Sequence, residues 1–306
     1  MARIDDVLTT VSSIKQMPGH LFLLEKISGV SGIFVFDGRI AFAQASTSNN
    51  GAAICTSLVE FQPSLEIKSV TNDPSFKSGL YDFLILKSLD SKEIAESFLN
   101  IVRLYGNNPS MPFDDFIHSV VELFQLPRQQ AELDCIGLFG ELSFIRCSWK
   151  AGKDISPYWH LHGVYSKYDF SSKNSNFEVK TSSTDSTSFI IKHSQIFNGD
   201  NNIVVLVSIR NEEAMGVSLK ELVNYFKSTE PFASNLAFQL SLEKELFQKI
   251  EPAMFEKRYA VSGIYGFKTD WLETIKTIPE CISDVSYRYT FNIGSSLPVN
   301  ILVGLF

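Results

Sequence analysis

Tyr168-Asp169-Phe170, the polar run Ser171 to Asn176, and Phe177-Glu178-Val179-Lys180-Thr181 form one continuous stretch whose pairing decides the fold. If the polar run is the loop of an antiparallel hairpin, Phe170 pairs with Phe177 and Asp169 stands across from Glu178 on one face. Cβ atoms of such a pair lie about 5 Å apart, where like charges are destabilising unless something positive sits between them. A divalent cation meets that need. Hard oxygen donors at this spacing suit Mg2+, which keeps several waters and takes only one or two carboxylates. Lys180, two residues beyond Glu178 on the same strand, projects its ammonium to the same face.

Upstream, Glu141 lies in Gly140-Glu141-Leu142-Ser143-Phe144-Ile145. On a helix its neighbours at three and four residues are Gly137, Leu138, Phe144 and Ile145, so it belongs to or beside the apolar face that packs on a sheet. A buried carboxylate left unpaired costs several kcal/mol, and a metal, a lysine or a set of backbone donors is expected beside it. Gly137 and Gly140 lack side chains, which lets this helix approach the sheet closely.

Further out, the pattern divides the 306 residues into three stretches. Residues 1–108 form a β-rich N-terminal module. Its strands are expected at His20–Leu24, Gly32–Phe36, Ile40–Ala43 and Leu65–Val70, with Asp37-Gly38 as a hairpin turn and a closing helix at Ser91–Leu104. Residues 109–228 alternate helix and strand as an α/β core. Helices are expected at Asp114–Phe124 and from Pro127 toward Ile145, and Ile203–Ile209 reads as a central strand covered on both faces. Ser218-Leu219-Lys220-Glu221 is a capping box opening a helix through Phe226. Residues 229–306 form an α+β extension packing on the core, with a helix at Leu236–Ile250 and strands at Tyr259–Phe267, Val285–Phe291 and Val299–Leu305.

Composition narrows the class. With 44% hydrophobic and 20% charged residues the chain is ordinary globular material. Its longest apolar runs are too short for a bilayer, and Asp5 and Asp6 stand where a signal peptide would carry bases, so a cytoplasmic protein without membrane contact is expected. Cysteines 55, 135, 147 and 281 are too scattered for a metal set or a disulfide scaffold. His160-x-His162 offers two imidazoles but no completing ligands, and reads as a half-exposed strand. The net charge of -7 argues against a broad basic surface. Between Glu141 and His193 the balance is nevertheless positive, with seven bases facing Glu141, Asp154, Asp169, Glu178 and Asp185.

Acid-x-Lys is a weak pattern alone: Glu66-Ile67-Lys68 and Asp90-Ser91-Lys92 also carry it. On the residues alone, a surface hairpin of solvated charges competes with a metal site. The order Gly140-Glu141…Ile145 with Trp149, then Tyr168-Asp169-Phe170, then Phe177-Glu178-Val179-Lys180-Thr181 resembles the PD-(D/E)XK, or restriction-endonuclease-like, superfamily. It looks closest to a branch in which the lysine strand is followed by a Gln-aliphatic pair, a buried apolar strand and a Leu-x-x-Leu-Val helix. Here those parts are Gln195-Ile196, Ile203–Ile209 and Leu219–Val223. Ser283-Asp284-Val285-Ser286-Tyr287 resembles the branch's C-terminal strand. The resemblance spans roughly residues 110–306. The proline of the superfamily's name is absent before Asp169, and the His-rich lead into the Gln pair is rearranged.

The resemblance implies a mixed sheet flanked by helices and a metal-dependent DNA endonuclease using Mg2+ or Mn2+. Asp169 and Glu178 would be metal ligands, Lys180 the catalytic lysine, Glu141 an additional ligand or water orienter, and Gln195 and His193 accessory groups. Relatives in this branch are often encoded beside DNA methyltransferases and helicase-like ATPases, which implies restriction or phage defence with partner subunits; a homodimer cutting both strands is expected by analogy. The alternative is a non-catalytic nucleic-acid-binding or scaffold subunit with the same fold.

Overall fold

Two large sheets of different construction and a small two-stranded ribbon organise the described residues. A computed structural model describes residues 4–14, 21–46, 52–70, 72–74, 76–125, 132–160, 167–182, 188–197, 201–249, 255–272, 274, 285–290 and 293–306. It divides into two compact units, Met1–Pro127 and Arg128–Phe306.

The first unit contains α1 (Ile4–Ile14), β1 (Leu21–Lys26), β2 (Ser31–Phe36), β3 (Arg39–Ala45), β4 (Ile54–Cys55), β5 (Val59–Ile67), β6 (Gly79–Leu86), α2 (Lys92–Asn107) and α3 (Phe113–Gln125). Its six strands run antiparallel in the order β1-β2-β3-β6-β5-β4. Asp37 and Gly38 make the β2–β3 turn with φ of 49° and 70°. Both angles are positive, as a two-residue turn matching the strand twist requires. Pro63 lies inside β5 where the register with β6 shifts between Gln62 and Leu65, a bulge that removes the need for its missing N–H. Ser91 caps α2 by accepting the Ile94 N–H.

The expected boundary at 108/109 moves to 127/128. Phe113 and Phe116 on α3 pack on Phe42 of β3 and Tyr105 of α2, so this helix belongs to the first unit and not to the α/β core.

The second unit runs α4 (Glu132–Lys150), β7 (Phe170–Ser171), β8 (Asn176–Ser182), β9 (Ser188–Lys192), α5 (His193–Phe197), β10 (Asn202–Asn211), β11 (Val217–Ser218), α6 (Leu219–Ser228), α7 (Leu236–Lys249), β12 (Arg258–Lys268), β13 (Ser286–Thr290) and α8 (Val299–Val303). Its main sheet has the order β11-β12-β10-β8-β7 and is mixed: β10 is parallel to β8 and antiparallel to β12. Strand β10 is central, as its apolar run predicts. Ile203, Val205, Val207 and Ile209 belong to the core shared with α4, α6 and α7. Val204 and Leu206 point the other way, toward Phe189, Ile191, Ile196 and Phe267. The second cluster carries a separate two-stranded ribbon of β9 and β13. The core is thus a mixed sheet flanked by helices, as expected.

Two further expectations are corrected. Residues 229–306 are not an appendage, because β12 is inserted between β10 and β11 in the core sheet. Val299–Leu305 is not a strand. Pro298 supplies a helix-compatible start, its carbonyl accepts the Ile301 and Leu302 N–H groups, and α8 follows. The helix expected from Pro127 is described from Glu132; residues 126–131 lie outside the described set, as do Asp185, Cys281, Ser283 and Asp284. The Ser218–Glu221 capping box is present in both directions. Among the described residues no helix is long and apolar enough to cross a membrane.

Candidate active site

The hairpin forms in the expected register. Phe170 pairs with Phe177, and Ser171 pairs with Asn176, so the connecting loop is Ser172–Ser175. It is stapled by Ser172 Oγ, which donates to the Ser175 carbonyl and accepts the Ser175 N–H. β7 begins at Phe170, and the side chain of Asp169, just before it, continues the ladder: its Oδ2 accepts the Val179 N–H at 2.7 Å. The backbone carbonyl of Asp169 accepts the His160 N–H, and the Tyr168 hydroxyl accepts from Asn202 Nδ2 at 2.9 Å. Asp169 is thereby fixed from both sides at the β7–β8 edge.

Glu178 is buried on β8, and Lys180, two residues on, is ion-paired with it. Gln195 on α5 hydrogen-bonds the Glu178 carboxylate while its Oε1 accepts the Lys192 N–H at 3.2 Å. The second half of that bridge ties α5 to the end of β9. His193, the other accessory candidate, places Nδ1 2.7 Å from the Tyr287 hydroxyl and links α5 to β13.

Glu141 is buried on α4, whose approach to β8 is set by Gly140. A Cβ at Gly140 would stand 1.8 Å from Thr181 Oγ1, whereas one at Gly137 would meet nothing within 4 Å. The close approach predicted for both glycines belongs to Gly140 alone. The expected partners of Glu141 were a metal, a lysine or backbone donors. The structure supplies an indole and an imidazole: Trp159 Nε1–H donates to Oε2 at 2.8 Å, and His160 Nε2 lies 3.2 Å from the same oxygen. His160 Nε2 also lies 3.6 Å from Glu245 on α7. His160 is not a strand residue, since its φ is 47°, and His162 lies outside the described residues. Nothing in the sequence marks Trp159 and His160 as partners of Glu141. They reach it through an isolated bridge between Trp159 and Phe170, a contact between unlike segments.

The electrostatics follow from crowding. Burial, then the charges of Glu141 and Glu178, push the Asp169 pKa well above the usual carboxylate range, against the pull of the Val179 N–H and Lys180. Burial also raises Glu178, with Lys180 and Gln195 opposing and Glu141 adding to the rise. Three carboxyls thus share a desolvated region with one ammonium. Although Asp169 as a residue retains some exposure, its carboxyl is enclosed.

Such a donor set fits a hard divalent cation, because a positive charge would offset the burial and the added mutual repulsion that hold these pKa values up. Asp169 and Glu178 are the groups that would hold it. Among the described residues no three Asp, Glu, His or Cys side chains are arranged to hold a metal ion. An ion that keeps most of its waters and takes one or two carboxylates does not need three.

The chain matches the family model described as "Putative PD-(D/E)XK family member, (DUF4420)" over residues 48–291. No curated protein and no solved structure matches it.

Proposed function

The chain belongs to this PD-(D/E)XK family, and from that premise we propose that it is a metal-dependent DNA endonuclease hydrolysing phosphodiester bonds, acting in restriction or phage defence. One observation carries the reading: Asp169, Glu178 and Glu141 are brought together with Lys180 around a single desolvated edge of the sheet.

Asp169 and Glu178 would hold Mg2+ or Mn2+, and Glu141, kept in place by Trp159 and His160, would be an additional ligand or orient the attacking water. An ion held there would supply Lewis acidity for water activation and charge neutralisation at the phosphate. Lys180 stands with its ammonium on Glu178, from where it can turn to a non-bridging phosphate oxygen and offset the charge that grows there as water attacks. Gln195 holds the Glu178 carboxylate in orientation during that exchange. A cytoplasmic location, a homodimer and partner methyltransferase or helicase-like ATPase subunits belong to the same reading.

The test is incubation of the purified protein with plasmid DNA and Mg2+ or Mn2+, beside Lys180→Ala and an EDTA control. Nicking or linearisation restricted to the metal-containing wild-type sample supports the reading. A folded wild-type protein that cuts no DNA with either metal shifts the reading to partner-dependent activation or a non-catalytic binding subunit.

A further inference from the structure

The β9–β13 ribbon has two unlike faces. Its register pairs Lys192 with Ser286, Ile190 with Arg288 and Ser188 with Thr290. Phe189, Ile191, Tyr287 and Tyr289 turn inward and pack over β10 and β12. The residues between them turn outward: Ile190 is 51% exposed, and Lys192, Ser286, Arg288 and Thr290 are exposed.

The outward face carries two cations, and the ten ribbon residues include no acid, in a chain of net charge -7. Four other cations of this unit are paired with acids: Lys180 with Glu178, Lys220 with Glu256, Lys227 with Glu243 and Arg258 with Glu221. Lys192 and Arg288 form no ion pair among the described residues. They occupy diagonal positions on the same face, about 7–8 Å apart at the backbone.

The ribbon is also continuous with the carboxylate site. Gln195 receives the Lys192 N–H and bonds Glu178, so one side chain joins the end of β9 to the candidate metal ligand. The His193 N–H donates to the Val285 carbonyl at 2.7 Å, and His193 Nδ1 meets the Tyr287 hydroxyl, which locks the ribbon to the same helix.

We infer that the outward face of this ribbon docks the phosphate backbone of duplex DNA, with Lys192 and Arg288 as its phosphate contacts and Ile190 beside both. The inference rests on the nuclease reading and adds to it the element that holds the substrate. Five-residue strands extend about 17 Å, and a two-stranded ribbon is an element that the major groove, about 12 Å wide, admits. The aromatic rings turn inward, so the face has no stacking platform of the kind that single strands require. The chemistry is that of a duplex backbone: paired cations, hydroxyls and one apolar side chain.

The experiment measures binding of the full chain to a short fluorescent duplex in EDTA across a series of salt concentrations, with cleavage of the same duplex followed separately in Mg2+. The variants are Lys192→Ala/Arg288→Ala and, as a control for charge alone, Lys68→Ala in the first unit. The double variant is expected to keep the wild-type Tm, weaken binding and reduce the slope of log K against log salt by about two, roughly one per lost phosphate contact. Lys68→Ala is expected to change neither. Wild-type binding with an unchanged slope in the double variant overturns the ribbon assignment while leaving the nuclease reading in place. Equal loss in both variants, or a wild-type preference for single strands, does the same. A folded wild-type protein that neither binds nor cuts duplex overturns both.

Discussion

Among the described residues of the first unit, the buried charged groups are Asp82 and Arg103. Asp82 Oδ1 accepts the Ser64 N–H at 2.9 Å, and Arg103 lies 2.8 Å from Glu25. In the second unit Glu141, Glu178, Glu243 and Glu245 are all buried, and Asp169 adds an enclosed carboxyl. Lys227 neutralises Glu243, but Glu178 and Asp169 share Lys180, and His160 stands between Glu141 and Glu245. The first sheet satisfies each buried charge locally. The second gathers like charges in one desolvated place, an arrangement that works against stability and is characteristic of sites where chemistry is done.

The largest effect expected from breaking this contrast is on activity. Asp169→Ala should lower single-turnover DNA cleavage about 1,000-fold or more while the protein stays folded. Asp82→Ala, its counterpart in the first unit, should alter the unfolding midpoint instead. Cleavage undiminished in Asp169→Ala would remove the functional half of the comparison.

Next comes Gly140→Ala, which drives a Cβ into Thr181 and must shift α4 away from β8. A loss of about 2–3 kcal/mol in urea unfolding is expected, the range of an overpacked core. A variant as stable as wild type would show that α4 does not lie this close to the sheet.

The pH dependence of the metal-free protein sharpens the contrast further. The folded-state pKa of Asp169 is raised above its unfolded value, so between the two the folded protein binds more protons and stability falls as pH rises. Asp169→Asn keeps an acceptor for the Val179 N–H and removes this titration. In EDTA at neutral pH its Tm should exceed that of wild type by a few degrees, equivalent to about 1 kcal/mol in a domain of this size. The advantage should shrink on acidification toward pH ~4, where both forms are neutral. A Tm at or below wild type across this range would contradict the crowding. The smallest effect belongs to Gly137→Ala, which meets nothing and should gain about 0.5–1 kcal/mol from helix propensity alone, read as a higher urea midpoint.

What the sequence disclosed was local or periodic. The Asp37-Gly38 turn, the Ser218 cap and the doubly buried β10 follow from residue types at fixed spacing. The Phe170–Phe177 register, which places Asp169 beside β8, follows from a polar loop between two apolar-flanked acids. β6 is not marked by the sequence pattern. It sits between β3 and β5 with a buried run from Tyr81 to Leu86, and such a short, nearly continuous apolar run carries no alternation to distinguish a strand from a helix. α8 was read as a strand for the same reason: five mainly apolar residues take their conformation from Pro298 and from packing beside Gly266. Gly137 and Gly140 are indistinguishable as letters, and only the position of Thr181 separates them. The Trp159 and His160 contacts to Glu141 depend on tertiary placement, for which no spacing rule exists.

The insertion of β12 beside β10 has a consequence for the order of synthesis. As the chain emerges from the ribosome, β8 can pair with one edge of β10, but the strand that covers its other edge begins nearly fifty residues after β10 ends. At roughly 5–20 residues per second this leaves an apolar strand with an open edge for about two to ten seconds. The nascent protein must therefore be protected from pairing with its neighbours just when the carboxylate-bearing hairpin is already out, and a gene fragment ending at residue 228 would make that vulnerable state permanent.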